Sequence, residues 1–203
     1  MALHEIEEKM HSGRIYLCED EELVALQLEY QEMLYDYNQT RPKESEKRQE
    51  LLRRMFAEVG ENVVIEQPLW ANWGGRFVHF GSNVYANSNL TMVDDTHIYV
   101  GDRVMFGPNV TLSTATHPIS PRLRGMGVQY NLPIRIENNV WLGSNVMVMP
   151  GVTIGENSII GANSVVTKDI PANVVAVGAP CRVLRPITER DEQFYDHDRP
   201  IDM

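Results

Sequence analysis

Apolar residues in the first part of the chain recur at three- and four-residue spacing, the pattern of an amphipathic helix. After an acidic run at residues 19–22, this spacing joins Leu23, Leu26, Tyr30, Met33, Leu34 and Tyr37. Asn38 and Pro42 predict the end of that helix, and a second helix is expected from near Pro42 until Gly60 stops it. We therefore expect residues 1–62 to form a packed helical segment.

From residue 63 a repeat of six replaces the helical spacing. Large apolar residues recur without interruption at Ile136, Leu142, Val148, Ile154, Ile160 and Val166. Asparagine or glycine falls between them, at Asn139, Asn145, Gly151, Asn157 and Asn163. An earlier block has the same period before its phase shifts by two residues, at Phe80, Ala86, Met92 and Ile98. A repeat of this kind determines the fold, so it takes precedence over local propensity.

A period of six fits neither a 3.6-residue helix nor a meander of hairpins, but it fits a prism with three flat sides. The apolar residue of each hexad would point inward, and Asn or Gly would take the tight corner at positive φ. Because one hexad cannot bury its own face, successive turns must stack. The sequence therefore predicts a mainly β protein, with a parallel β-helix over residues 63–186 and a C-terminal tail at 187–203.

The repeat is interrupted once, by residues 113–133. This segment is long beside the usual connection of about 4–6 residues, and long loops on rigid scaffolds are often functional. It contains His117, and the imidazole of a histidine can accept a proton from a hydroxyl group. A loop histidine that only bonds the backbone is the alternative interpretation.

Net charge excludes some partners. The chain has 18 Lys and Arg against 28 Asp and Glu, a formal charge of −10, which disfavours nucleic acid and anionic membrane surfaces. No stretch approaches the roughly 18 apolar residues of a membrane span. Cys18 and Cys181 stand far apart and outside any zinc-ligand spacing, so we expect no metal site and a reducing, cytoplasmic location.

Several motifs bear a family resemblance that extends over almost the whole chain. They are residues 85–90, Asp94-Asp95, 109–113 with His117-Pro118, 138–144, 167–171 and 178–182. These resemble the hexapeptide-repeat acyltransferases, and within them the galactoside and maltose O-acetyltransferases. The resemblance implies a left-handed β-helix, a helical front segment, acetyl-CoA as the donor and a homotrimer with active sites between neighbouring subunits.

The resemblance also implies roles for individual residues around a sugar acceptor. His117 would be the general base, and Asn87 and Asp95 would bind sugar hydroxyls. Trp141 is similar to a tryptophan that lines the donor and acceptor cleft. Asn72 and Asp20 match acceptor-pocket positions less directly, because the chain differs from close relatives around residues 17–20 and 72–75. Gln129 is a third departure, since a relative has a more apolar residue there.

For coenzyme A, the resemblance implies a groove along the β-helix with cations near its nucleotide end. Ser144 and Ala162 match positions along the groove, and the nucleotide-end positions are Thr167, Lys168, Arg182 and Arg185. Such a cluster would form a local phosphate site in an acidic protein. We expect no metal in the reaction.

The predicted reaction is direct acetyl transfer from acetyl-CoA to a sugar hydroxyl, the 6-hydroxyl, within a ternary complex. Three alternatives stay open at this point. The acceptor could be an antibiotic or an amino acid, the fold could support a metal hydratase similar to the gamma carbonic anhydrases, or the protein could be a non-catalytic oligomeric scaffold. The hydratase requires three converging histidines, and His79, His97 and His117 do not have the required spacing.

Overall fold

Helices precede a solenoid of short strands in the computed structural model, which describes residues 3–17, 21–196 and 198–203. The helices are α1 (Leu3–His11), α2 (Glu21–Asn38) and α3 (Ser45–Met55). Helix α2 buries Leu23, Leu34 and Tyr37, which belong to the predicted apolar stripe. Helix α3 ends at Met55 rather than near Gly60, because residues 58 and 59 already pair with a strand of the solenoid.

The solenoid has three faces, each a stack of short strands. The first face contains β1 (Glu58–Val59), β4 (Val78–Phe80), β7 (Ile98–Val100), β12 (Ile134–Ile136) and β15 (Thr153–Ile154). The second contains β2 (Val64–Ile65), β5 (Tyr85–Ala86), β8 (Met105–Phe106), β13 (Trp141–Leu142), β16 (Ile159–Ile160) and β18 (Val174–Val177). The third contains β3 (Leu69–Ala71), β6 (Leu90–Val93), β9 (Thr111–Ser113), β14 (Met147–Val148) and β17 (Val165–Val166).

Strand pairing within these faces is parallel, and equivalent hexad positions stand in register. Leu142, for example, pairs with Phe106 above it and Ile160 below it. The six predicted inward residues of the later block are all at most 2% exposed. The predicted parallel β-helix is therefore confirmed, and its first strand begins at Glu58.

Asparagines at the corners have the predicted left-handed backbone. Asn139, Asn145, Asn157 and Asn163 have φ between 59° and 61°. Their side chains also bond from turn to turn: Asn109 Nδ2 donates to Asn145 Oδ1 at 3.0 Å, and Asn145 Nδ2 donates to Asn163 Oδ1 at 3.1 Å. The corner residues thus supply both the sharp turn and a polar ladder along the edge of the prism.

The interruption in the repeat is an excursion at the corner between the third and first faces. Strand β10 (Ala115–Thr116) leaves the solenoid, a short helix α4 (Pro121–Arg124) follows, and β11 (Tyr130–Asn131) returns antiparallel to β10. Ser120 caps α4 by accepting a hydrogen bond from the Leu123 N–H. This pairing keeps the inserted segment close to the solenoid.

The C-terminal end closes the second face. Strand β19 (Arg182–Pro186) pairs antiparallel with β18, and α5 (Glu189–Gln193) follows it. A final two-stranded ribbon consists of β20 (Phe194–Tyr195) and β21 (Arg199–Pro200). Among the described residues, no helix combines the length and the apolar character needed to cross a membrane.

Candidate active site

His117 lies on the inserted segment just after β10, and its side chain is exposed. The return of the chain through β11 brings Val128 beside it, with His117 Nδ1 at 2.9 Å from the Val128 carbonyl oxygen. A carbonyl oxygen only accepts hydrogen bonds, so Nδ1 must carry the proton. In the neutral ring, Nε2 therefore bears the lone pair that a general base needs.

Asp95 is connected to this histidine through the segment that contains Val128 and Gln129. It follows β6 at the same corner and is 6% exposed. Its Oδ2 accepts a hydrogen bond from Asn72 Nδ2 at 2.9 Å, and its Oδ1 accepts one from Gln129 Nε2 at 3.0 Å. Gln129 directly follows Val128, so two neighbouring residues just before β11 bond the histidine and the carboxylate.

Tyr16 and Asn131 extend this polar cluster. Tyr16 exchanges two main-chain hydrogen bonds with Gln129, at 2.9 and 3.1 Å. Its hydroxyl oxygen lies 2.5 Å from Gln129 Nε2 and 2.8 Å from Asn131 Nδ2. Asn131 Nδ2 also donates to the Asp95 carbonyl at 3.1 Å. Asn72 and Gln129 therefore hold the two carboxylate oxygens of Asp95, and Asn131 holds its backbone carbonyl.

Sequence reasoning assigned no role to Tyr16 or Asn131 and noted Gln129 only as a departure. One signal could have found two of them. Gln129 and Asn131 are polar residues two positions apart in an extended segment, so their side chains share one side of the strand. Both are buried, although polar residues in a surface loop are usually exposed.

Asp94 shapes the neighbouring turn that carries Asn72. Its Oδ1 accepts from the Trp73 N–H at 2.7 Å, and its Oδ2 accepts from the Gly75 N–H at 2.9 Å. Complete burial raises the pKa of Asp94 to about 7, although the two backbone bonds act in the opposite direction. Asn72 is also tied to α2, because Gln27 Nε2 donates to its carbonyl at 2.9 Å.

A second group of predicted residues lines the corner between the second and third faces. Ser144 and Ala162 lie here on adjacent turns, and Asn87 lies two turns before Ser144. Trp141 stands 47% exposed on the adjoining β13. Glycines keep the turns close: a Cβ on Gly143 would lie 2.7 Å from the Ala162 nitrogen. The result is a strip of accessible backbone that suits a long, amide-containing ligand arm.

The predicted nucleotide-end residues are all exposed but lie in two places. Thr167 and Lys168 follow β17, at the corner between the third and first faces. Arg182 and Arg185 lie on β19, beside the second face, with Arg182 Nη1 donating to the Cys181 carbonyl at 2.7 Å. Arg185 forms an ion pair with Asp191.

One chain therefore contains two separate parts of the predicted site. Asn72, Asp95 and His117 lie at the corner between the third and first faces, and Asn87 lies at the other end of the third face. Strand β6, four residues long, separates Asn87 from Asp95 and spans roughly 13 Å. Asp20, which was predicted to bind the acceptor, lies outside the described residues.

His11, His79 and His97 form a separate cluster around the first face. His79 Nε2 lies 2.9 Å from His97 Nδ1, and the His11 ring centroid is 4.7 Å from that of His97. Burial, then the nearby charges of His11, His79 and Arg135, lower the pKa of His97 to about 4. Among the described residues, no group of three or more His, Cys, Asp or Glu side chains is arranged to hold a metal ion.

Comparison with known families agrees with this architecture. Residues 9–60 match the family described as the maltose acetyltransferase hexapeptide capping motif. Residues 133–168 match the family described as bacterial transferase hexapeptide (six repeats), which is the stretch with uninterrupted register. The first match covers α2, α3 and the end of α1, and the second covers the solenoid from β12 to β17.

Similar proteins cover nearly the full length of the chain. A galactoside O-acetyltransferase of Lactococcus lactis is 54% identical over 96% of this chain and 94% of its own length. The galactoside O-acetyltransferase of Escherichia coli is 48% identical, with 96% of each chain covered.

Solved structures give the same result. A galactoside acetyltransferase in complex with coenzyme A superposes with a TM-score of 0.93 at 47% identity, over 97% of this chain and 98% of that chain. A maltose O-acetyltransferase from Clostridium difficile has a TM-score of 0.87 at 44% identity, over 90% and 97% of the two chains. On this likeness in sequence and fold, the chain belongs to the hexapeptide-repeat acetyltransferases, in the group that contains the galactoside and maltose O-acetyltransferases.

Proposed function

We propose that the protein transfers the acetyl group of acetyl-CoA to a hydroxyl group of a galactoside-type or maltose-type sugar, with His117 as the general base. Relatives named for these acceptors, and the relative bound to coenzyme A, support the substrate classes. The observation that carries the mechanism is the 2.9 Å bond from His117 Nδ1 to the Val128 carbonyl, because it leaves the Nε2 lone pair to accept a proton.

The reaction is a direct displacement at the thioester carbonyl. His117 Nε2 takes the hydroxyl proton as the sugar oxygen attacks the carbonyl carbon, which forms a tetrahedral oxyanion. The carbon–sulfur bond then breaks, and the imidazolium returns the proton to the departing thiolate. Backbone N–H groups, or groups in the region of Ser144, stabilise the oxyanion before the carbon–sulfur bond breaks.

Asp95 orients the acceptor. Both of its carboxylate oxygens already accept one hydrogen bond from the protein, and each has further lone-pair capacity for a sugar hydroxyl. Asn87 offers an amide to another hydroxyl, while its own Oδ1 accepts from the Ser88 N–H at 2.8 Å. We assign the 6-hydroxyl as the reacting group because it extends one carbon beyond the ring, so it can reach His117 while ring hydroxyls stay bound.

The donor follows the corner between the second and third faces. Ser144 and Ala162 border the pantetheine arm through accessible backbone, and Trp141 covers the cleft beside them. Arg182 and Arg185 lie on β19 and Thr167 and Lys168 follow β17 at another corner of the chain, so the two pairs contact the phosphorylated nucleotide from neighbouring subunits. The residues suit the ligand, because guanidinium and ammonium groups bind phosphate through charge-assisted hydrogen bonds.

The complete site forms between two subunits of a homotrimer. The third-face strand separates Asn87 from Asp95 within one chain, so a neighbouring copy must bring the two groups together. The second face supplies the interface, with an outward column that includes Val64, Tyr85, Met105 and Trp141, each between 39% and 49% exposed. Apolar side chains in such a column favour association over solvation.

We also place the reaction in the cytoplasm, where a reducing environment suits Cys181, a buried free thiol. An acceptor panel tests the proposed activity. Thiol release from acetyl-CoA is followed with galactosides, glucosides, maltose and chloramphenicol, and the products are characterised by NMR. We expect turnover with a sugar and acetylation at its 6-position. Chloramphenicol as the preferred acceptor would support the antibiotic alternative, and no thiol release with any acceptor would support a non-catalytic scaffold.

A further inference from the structure

Arg185 is held by a carboxylate from the segment that follows it. Its Nη1 donates to Asp191 Oδ2 at 2.8 Å, and its Nη2 donates to Asp191 Oδ1 at 2.7 Å. The same Nη1 donates to the Pro186 carbonyl at 3.0 Å. This two-point pairing fixes the plane of the guanidinium as well as its position. It is unusual for an exposed arginine, whose long side chain would otherwise sample many rotamers.

Asp191 is itself anchored. Its Oδ2 accepts from the Thr188 N–H at 2.8 Å, and the two residues form a capping box at the start of α5. Thr188 follows β19 by two residues, so the carboxylate is tied to the end of the strand that carries Arg185. The pairing with Arg185, followed by the Thr188 N–H, holds the pKa of Asp191 far below its usual range. These bonds favour the ionised form of Asp191.

The pairing leaves one edge of the guanidinium available. A guanidinium has two edges that can bind an anion with two parallel N–H bonds, the Nη1/Nη2 end and the Nε/Nη2 side. Asp191 occupies the end. Within the part of the chain that the structure describes, the Nε–H and the second Nη2–H of Arg185 make no hydrogen bond. These two donors form the side edge, which fits two oxygens of a phosphate.

We propose that Asp191 is a positioning residue that presents the side edge of Arg185 to a phosphate of coenzyme A. The inference rests on the proposed function, which places Arg185 at the nucleotide end of the donor site. Asp191 adds a negative charge close to an anionic ligand, yet it improves binding because it removes the rotational freedom that Arg185 would lose on contact with phosphate.

Two other roles for Asp191 predict the opposite effect on coenzyme A binding. If Asp191 only added repulsion, or if it had to be displaced by the phosphate, its replacement by asparagine would tighten coenzyme A binding. If it positions Arg185, the same change weakens binding. Asparagine can still accept from the Thr188 N–H through Oδ1, so the capping contact survives while the two-point ion pair is lost.

The experiment measures the Kd of coenzyme A by calorimetry, and kcat and KM for acetyl-CoA, on the full-length protein. Asp191→Asn is compared with Asp198→Asn, a matched control that removes a carboxylate of the same C-terminal segment, paired with Arg190 instead of Arg185. We expect Asp191→Asn to raise the Kd and the KM for acetyl-CoA about three- to tenfold, the loss expected when one charge-assisted contact is misaligned. The kcat and the acceptor KM should change little, and Asp198→Asn should bind like wild type or slightly tighter.

Arg185→Ala and the double variant separate the possible failures. We expect Arg185→Ala to weaken binding and the added Asp191→Asn change to have no further effect. If Arg185→Ala weakens binding while Asp191→Asn leaves the Kd unchanged or lower, the positioning role is overturned and the donor site stands. If Arg185→Ala leaves the Kd unchanged, the assignment of Arg185 to the donor site is wrong and the inference is overturned with it. Equal weakening by Asp191→Asn and Asp198→Asn would also overturn it, because a general effect on the segment would then explain the result.

Discussion

Gln129 donates its side-chain amide to the buried carboxylate of Asp95 at 3.0 Å, while its neighbour Val128 accepts a hydrogen bond from His117. Two adjacent residues of the inserted segment thus connect the proposed base with the proposed acceptor-binding acid. An apolar side chain at position 129 would fill the same space without the hydrogen bond. Because Asp95 is the proposed acceptor-binding acid, we expect this contact to affect how its carboxylate meets the acceptor.

Replacement of Gln129 by leucine should impair acceptor use. The change leaves the buried Asp95 Oδ1 without this donor, and an unsatisfied buried acceptor costs about 1–3 kcal/mol of free energy. We expect a lower kcat/KM for the sugar, a higher sugar KM and an unchanged KM for acetyl-CoA. Gln49→Leu is the control, because Gln49 bonds the Val63 carbonyl on the helical side, far from this carboxylate. Equal sugar kinetics in the two variants would contradict the proposed role.

The histidine cluster on the first face predicts an acid-sensitive stability. His97 has a pKa of about 4 in the folded protein, against 6.5 for an unperturbed histidine, because burial disfavours its charged form. Between these two values the unfolded chain binds more protons, so the free energy of unfolding falls as the pH drops from 6.5 towards 4.

His97→Phe should keep the ring packing and remove this contribution. The melting temperature of wild type should fall more steeply than that of the variant between pH 7 and pH 4.5. His11, whose pKa is also lowered by burial, remains in the variant, so part of the slope will persist. If the melting temperatures of wild type and variant fall equally steeply with pH across this range, His97 does not titrate as described.

Subunit mixing tests whether one active site uses two chains. His117→Ala and Asn87→Ala remove residues from opposite ends of the third face, and each variant alone should have little activity. In trimers assembled from both variants in equal amounts, an interface pairs an intact His117 with an intact Asn87 about one time in four. We expect recovery of about a quarter of wild-type activity after co-expression. Mixtures no more active than the separate variants would place both residues in a site within one chain.

The corner asparagines predict that alanine at such a corner destabilises the protein more than glycine does. Asn145 has φ of 59° and bonds Asn109 and Asn163. Asn145→Ala loses the ladder and places in the left-handed region a residue that tolerates it less well than asparagine, at an expected cost of about 1–2 kcal/mol. Asn145→Gly loses only the ladder and should be less destabilised. Urea unfolding of the two variants gives the comparison, and alanine at least as stable as glycine would contradict it.

The solenoid could be predicted from the sequence because its rule is local. Each hexad contains its own inward residue and corner residue, as Leu142 and Asn145 show, and the same pattern recurs in the neighbouring hexads. Residues 58 and 59 could not be recognised, because strand β1 shows no complete hexad and owes its conformation to pairing with His79 and Phe80. Tertiary pairing, rather than local pattern, ends helix α3.

The candidate site was less predictable because it depends on contacts between distant segments. The motif around His117 was recognisable, but the partners of Asp95 come from residues 72 and 129, and Tyr16 approaches Gln129 from more than a hundred positions away. No spacing rule relates these residues. Their meeting is set by the path of the inserted segment and by the helical front segment beside it.

The kcat of a His117→Ala variant, at saturating acetyl-CoA and sugar, tests the central claim most directly. A positioned general base contributes about a hundred- to ten-thousandfold to the rate, so thiol release should fall by a factor in that range while the Kd of coenzyme A stays near that of wild type. His79→Ala, a histidine of the first-face cluster, should retain most of the activity. A His117→Ala enzyme with kcat near wild type would contradict the account.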